Sequence, residues 1–320
     1  MYEKFYGLDE RPFDLTPDPK YLFLTASHRE ALSNLEYGIS ARTGVTVLIG
    51  EAGTGKTTLI RATLEARDPQ RTKAIYLNNP TLTREEFLEF LAREFELPAE
   101  VASSKTRLLS ELEACLLELR RSNITPALII DEAQSLPYEL LEEIRLLANI
   151  ETTREKLLPI VLAGQPELAE RLNHASLRQL KQRVGLRCLL RQLELAETGA
   201  YITARVAVAG GVASTLFTRE AVIVIHERSQ GIPRLISVLC HNALINAFAL
   251  TQKPVTADIV REVCEDFDLT GGEPTLLIGL PKSPAPAAAQ SAPVPPRHAP
   301  RDMFSGLAKP RRRYSIFREG

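Results

Sequence analysis

The chain has 320 residues, 44% of them hydrophobic, with 39 Lys and Arg against 40 Asp and Glu. That length suits one large domain or two ordinary ones with a proper core, and a net charge of −1 excludes a uniformly basic nucleic-acid binder. The charge is uneven: residues 271–320 hold eight Lys/Arg against three Asp/Glu, a net of +5, and residues 1–270 hold 31 against 37, a net of −6. No apolar run approaches the roughly 18 residues of a membrane span. The opening Met1-Tyr2-Glu3-Lys4-Phe5-Tyr6 lacks an apolar signal core. Cys115, Cys188, Cys240 and Cys264 form no C-x-x-C pair and read as free, buried thiols in a reducing compartment. A cytoplasmic protein is expected, with peripheral contact at the inner membrane, through a partner or the basic tail, as the alternative.

Residues 1–26 are rich in proline and aromatic residues, among them Phe5, Tyr6, Pro12, Phe13, Pro17, Pro19, Tyr21 and Phe23. They read as an ordered lead-in packed on the core, serving either as one wall of a base pocket or as plain core packing. A helix follows near 27–42, with Ser27 as its N-cap and Glu30 at the capping-box position. From 45 to about 192, strands alternate with helices. The strands are expected at 45–49, 74–78, 127–131, 158–163 and 185–190. The helices are expected near 56–66, 83–95, 105–121, 137–149, 166–173 and 176–182. Such alternation predicts a three-layer α/β fold around a parallel sheet, with ligands at the carboxyl ends of the strands. From 193 to 268 apolar residues recur at helical spacing, which predicts a small all-α lid subdomain with N-caps at Thr218 and Thr256. Residues 269–320 read as a Pro/Ala-rich disordered linker and a basic tail ending Lys309-Pro310-Arg311-Arg312-Arg313-Tyr314-Ser315-Ile316-Phe317-Arg318. That tail either solubilises the chain or docks through its aromatic and basic residues.

The chemistry is concentrated in five places. Gly50-Glu51-Ala52-Gly53-Thr54-Gly55-Lys56-Thr57 fits G-x-x-x-x-G-K-[ST], the phosphate-binding loop, between an apolar strand and a helix. Its glycines let main-chain N–H groups face a phosphate, and the following helix presents its positive end. Lys56 is expected on the β- and γ-phosphates, and Thr57 on Mg²⁺. Thr58 extends the candidate nucleotide-binding set. The second place is the strand Ala127-Leu128-Ile129-Ile130 and its acidic tip. There Asp131 is the candidate Mg²⁺ residue and Glu132 the base that polarises the attacking water. The third is Gln165, after Ile160-Val161-Leu162-Ala163-Gly164, whose amide either reaches the γ-phosphate and water or merely caps the next helix. The fourth is the basic segment Arg178–Arg187, in which Arg183, with Arg178 as runner-up, is the candidate cation that completes a neighbouring subunit's site. The fifth is Gly231-Ile232-Pro233-Arg234. A cation in a helix's first turn is electrostatically disfavoured, so Arg234 is expected to face an anion such as the nucleotide's phosphates.

With these elements in order, the chain resembles AAA+ ATPases, and more closely the ExeA-type (general secretion pathway protein A) family. The resemblance rests on Tyr2-Glu3-Lys4-Phe5-Tyr6-Gly7-Leu8, Arg11-Pro12-Phe13-Asp14-Leu15-Thr16-Pro17-Asp18-Pro19, Tyr21-Leu22-Phe23, His28-Arg29-Glu30-Ala31-Leu32 and Leu35-Glu36-Tyr37-Gly38-Ile39. It continues through the phosphate-binding loop, Asp131-Glu132-Ala133-Gln134, Leu162-Ala163-Gly164-Gln165-Pro166-Glu167-Leu168, Gln182-Arg183 and Gly231-Ile232-Pro233-Arg234-Leu235. It covers about residues 1–268. It implies ATP and Mg²⁺ as cofactors, Asp131 and Glu132 as Walker B, Gln165 as first sensor, Arg183 as finger and Arg234 as second sensor on the lid. It also implies a role in assembling bacterial envelope machinery: secretion, pili or polysaccharide export. Secretion members typically continue into a membrane span and a peptidoglycan-binding region. Here a basic tail follows the lid, so a cytoplasmic partner of such a system is expected. A homo-oligomer with ATP at the subunit interface is anticipated. The competing function is a DNA-associated ATPase regulator resembling transposition target selectors; a third is an adaptor that binds nucleotide without turnover.

Overall fold

The computed structural model describes residues 1–14, 19–78 and 81–269. The expected linker and basic tail lie outside them. Five parallel strands form one sheet: β1 Val45–Gly50, β2 Thr72–Leu77, β3 Thr125–Ile130, β4 Ile160–Gly164 and β5 Val184–Leu190. Their spatial order is β2-β3-β4-β1-β5. Strands β1, β3 and β4 are buried almost end to end, as continuous apolar runs inside a parallel sheet must be, whereas edge strands β2 and β5 carry exposed residues.

Helices cover both faces. On one lie α2 (Ala26–Ser40) and α3 (Lys56–Glu65), packed on Leu48, Ile129, Val161 and Leu190. On the other lie α4 (Arg84–Glu94), α5 (Lys105–Arg121), α6 (Tyr138–Leu147), α7 (Pro166–Asn173) and α8 (Arg178–Lys181), over Val47, Ile75, Leu128, Ile130 and Leu162. Buried Glu143 ties three of these helices together, accepting from Arg84 at 2.7 Å and Lys105 at 2.8 Å. The α/β sandwich expected from the alternating pattern is the observed fold.

The chain then builds a helical bundle from α9 (Leu195–Val208), α10 (Ala213–Leu216), α11 (Arg219–Ser229), α12 (Pro233–Ala249) and α13 (Ala257–Asp266). A first short helix, α1 (Tyr2–Tyr6), joins it. Tyr2, Tyr6, Leu8 and Phe13 share one core with Val206, Phe217, Leu239 and Leu244. The first part of the lead-in, Tyr2 to Phe13, therefore shares the core of the helical bundle, while the turn at Pro19–Tyr21 also reaches α3 and Leu24 packs on the α/β core as the sequence suggested. Aromatic complementarity decides this: Phe13 meets Phe217 edge-on with centroids 6.0 Å apart, and Phe5 meets Phe248 at 5.4 Å.

Two caps differ from expectation. Thr25, not Ser27, caps α2, because Thr25 has extended backbone and its hydroxyl accepts from the His28 N–H; Ser27 and Glu30 lie inside the helix. Thr218 caps α11 as expected, accepting from Ala221 N–H at 3.1 Å, while Thr256 occupies the cap position of α13 without a side-chain bond. All four cysteines are free; Cys188, Cys240 and Cys264 are buried, and Cys115 is half-buried. Among the described residues no helix is long and apolar enough to cross a membrane.

Candidate active site

Strand order assembles the site. Strand β4 lies between β1 and β3, with Ile49 level with Gly164 and Ile130 level with Leu162. The loops that leave β1, β4 and β3 are thus neighbours at one edge of the sheet. They carry Gly50–Thr57, Gln165, and Asp131 with Glu132, respectively.

The loop after β1 turns through Gly53 (φ 82°) and Gly55 (φ 97°), a region open to glycine at no steric cost. It delivers Lys56 as the first residue of α3. Lys56 is only 4% exposed, and its ammonium donates to the carbonyls of Gly50 (2.8 Å) and Glu51 (3.1 Å). Burial pulls its pKa below the usual lysine value, against the opposing pull of Glu132, Asp131 and Glu51. The Thr57 hydroxyl donates to Asp131 Oδ2 at 2.6 Å. The Tyr76 hydroxyl, from β2, donates to that same oxygen at 2.8 Å, and the Glu132 main-chain N–H donates to Oδ1 at 2.9 Å. Burial, with Asp131 beside it, pushes the Tyr76 pKa upward. Asp131 is 1% exposed, so this carboxylate is accounted for by three donors. A hydroxyl and a carboxylate converging at 2.6 Å are hard oxygen donors of the kind Mg²⁺ takes, so Thr57 and Asp131 fit that ion.

Glu132 has a left-handed backbone (φ 51°) at the end of β3. Gln165 stands at the cap position of α7, but its side chain makes no cap bond; its amide donates to Glu132 Oε2 at 3.3 Å.

A cleft of about 460 Å³ opens over the loop, lined on the sandwich side by Ala52–Thr58 and Glu132 and on the bundle side by Tyr201, Pro233 and Arg234. The lead-in supplies Tyr21, Leu22 and Phe23. Arg234 leans on the loop: its N–H donates to the Gly53 carbonyl at 3.2 Å, and a Cβ on Gly53 would come within 2.6 Å of the Arg234 Cβ. Among the described residues its guanidinium makes no hydrogen bond or ion pair. Arg183 and Arg178 do not reach the cleft of their own chain. The Arg183 carbonyl accepts from Val45 N–H at 3.3 Å, at the amino end of β1, so the phosphate-binding loop lies about 16 Å away along the strand.

Three participants were not singled out by sequence. Tyr76 is one; its only signal is a polar residue near the end of an apolar strand. His28 is another: Nε2 lies 3.0 Å from the Thr54 carbonyl and Nδ1 lies 2.7 Å from the Thr25 hydroxyl. A carbonyl only accepts, so Nε2 carries the proton and neutral Nδ1 accepts from Thr25. Burial lowers the His28 pKa and favours that neutral form. Arg205 is the third. It is 9% exposed and donates to the Pro12 carbonyl (2.6 Å), the Asp14 carbonyl (3.1 Å) and the Tyr201 hydroxyl (3.0 Å), with its guanidinium 4.5 Å from the Tyr21 ring centroid. It fastens the lead-in to α9.

Residues 40–172 match the family model described as an AAA domain. Over that stretch the chain is similar to AAA domains. Over 260 residues, 81% of this chain and 47% of the relative, it is 42% identical to general secretion pathway protein A of Aeromonas hydrophila. The expected kinship with that family is borne out over this stretch, and the chain spans about half the length of the curated relative it matches. Among solved structures, the ORC2 protein of Aeropyrum pernix, in its ADPNP–ADP complexes, superposes with a TM-score of 0.59 at 20% identity, over 81% of this chain and 72% of that one. The Cdc6p structure from Pyrobaculum aerophilum gives 0.60 at 18% identity, over 86% and 75%. At such identities the likeness is one of fold, and it covers both sandwich and bundle.

Proposed function

We propose that this chain is an AAA+ ATPase that binds ATP with Mg²⁺ in the cleft and hydrolyses it, and that turnover drives assembly or remodelling in a bacterial envelope system. One observation carries the chemistry: Lys56, Thr57, Asp131, Glu132 and Gln165, spread over 110 positions of sequence, meet at adjacent strand ends beside a cleft of suitable size. Main-chain N–H groups of Gly53–Thr58 and the Lys56 ammonium bind the phosphates. Thr57 and Asp131 would hold Mg²⁺, which supplies charge neutralisation on the phosphates. Glu132 takes a proton from the attacking water as it adds in line to the γ-phosphorus, the bond from that phosphorus to the β–γ bridging oxygen breaks with ADP carrying away the electron pair, and Gln165 orients the water. Arg234, unpartnered among the described residues and set against the loop, senses the phosphates from the bundle. Tyr21 and Phe23 form a wall for the base.

Arg183 serves a second copy. It is exposed at the opposite end of β1 from its own loop, so it can complete a site only in a neighbour, which supports a homo-oligomer with ATP between subunits. The envelope role rests on likeness to a general secretion pathway protein. The net charge of −6 over residues 1–270 weighs against a DNA-coating surface.

ATP turnover with and without Mg²⁺, in the parent chain and in Lys56→Ala and Glu132→Gln, tests the chemistry. Lys56→Ala should lose ATP binding; Glu132→Gln should bind ATP and fail to turn it over. Parental hydrolysis by either variant overturns the assignment. Binding of duplex DNA at low salt would favour the DNA-associated alternative instead.

A further inference from the structure

Glu132 is not left to its own rotamers. Its Oε2 accepts from the Gln134 amide at 2.7 Å and from the Gln165 amide at 3.3 Å. Its Oε1 accepts nothing among the described residues. The carboxylate is therefore gripped on one oxygen and open on the other.

The Gln134 amide is itself fixed. Its Oε1 accepts from the Gln165 main-chain N–H at 3.1 Å. That N–H can only donate, so Gln134 must present its oxygen there, and its NH₂ is left facing Glu132. The bridge needs room that only glycine leaves: a Cβ on Gly164 would stand 2.9 Å from Gln134 Oε1. The backbone beneath is held as well. Arg171, on α7, donates to the carbonyl of Gln134 and, at 2.5 Å, to that of Leu136. Its guanidinium lies 4.8 Å from the Tyr138 ring centroid.

We propose that Gln134 is a positioning residue for hydrolysis: its locked amide holds Glu132 Oε2 and so presents Oε1 to the attacking water. This rests on the reading of Glu132 as the base. Holding one oxygen removes side-chain freedom that a free glutamate would have to lose in the transition state. Gln134 also joins the tip of β3 to the cap of α7, so a shift of Gln165 moves the base.

The test uses Gln134→Ala and Gln134→Glu. The glutamate keeps length, shape and the bond from Gln165 N–H, but offers Glu132 an acceptor where a donor stood. A merely structural role would survive it. We expect kcat for ATP to fall roughly 10- to 100-fold in both variants, the scale of one hydrogen bond to a charged group. Affinity for ATP should change less than about threefold, because no phosphate contact is lost. Unchanged kcat in both, or affinity that falls in step with kcat, overturns the proposal. Glu132→Gln is measured alongside. If it is inactive while the Gln134 variants keep the parental rate, only this inference fails; if it too hydrolyses ATP like the parent, the reading of the site fails with it.

Discussion

Replacing Arg205 by alanine tests whether the lead-in is a built part of the bundle. The guanidinium makes three hydrogen bonds, two to main-chain carbonyls of the lead-in, and lies 4.5 Å from the Tyr21 ring centroid. Bonds from a charged donor contribute roughly 1.5–3 kcal/mol each, and the ring contact about 1 kcal/mol. The contacts are coupled, and deletion also relieves the cost of desolvating a side chain that is 9% exposed. A net loss of roughly 3–5 kcal/mol follows, because the truncation leaves two main-chain carbonyls and a hydroxyl without their donor. In a folded unit of this size each kcal/mol moves the melting midpoint by about 2–4 °C, so Arg205→Ala should melt about 10 °C lower. Arg205→Lys keeps the charge but not the planar fork, and should recover less than half of that difference. Thermal unfolding followed by circular dichroism gives both numbers. Amide exchange over residues 2–14 should rise in step, because those residues are what the guanidinium holds. A shift of under about 2 °C in the alanine variant, or a lysine variant as stable as the parent, would refute the reasoning.

His28 gives a pH dependence with a definite sign. Its folded pKa lies below the ordinary value near 6.5, so as pH falls through about 6.5 the unfolded chain takes up a proton that folded His28 resists. Stability should therefore be full above that value and fall as pH drops. His28→Gln should flatten part of the slope, while His241, also lowered chiefly by burial, keeps the rest. Denaturation midpoints from about pH 5 to about pH 8 check this, and parallel curves for parent and variant would contradict it. Arg183→Ala should lower ATP turnover roughly a thousandfold or more, as loss of an arginine finger does. Mixing it with Lys56→Ala should restore part of the activity, since one supplies the intact loop and the other the arginine. No recovery on mixing, with recovery in an Arg178→Ala mixture instead, would move the finger to Arg178.

The residues of the phosphate-binding loop were legible in sequence because their chemistry is local: three glycines, a lysine and a threonine between an apolar run and a helix need no long-range partner to be recognised. The same holds for the strands that carry them. Buried parallel strands are continuous apolar runs, so β1, β3 and β4 stood out, and the acidic tip at Asp131 and Glu132 was marked by the run it ends. The bundle was legible from helical spacing alone.

Strand order was not, because nothing within a strand says which neighbour it will have. That order alone sets β4 between β1 and β3 and so brings Gln165 to Glu132. Tyr76, His28 and Gln134 escaped for the same reason: each acts on a partner that only tertiary packing supplies. The lead-in shows the limit most clearly. Its prolines and aromatic rings announced a packed segment, but apolar surface is non-directional, and both bodies of the protein offered some. Only the fit of Phe13 against Phe217, and of Arg205 against two main-chain carbonyls, settled that its first residues lie on the helices while Leu24 stays with the sandwich.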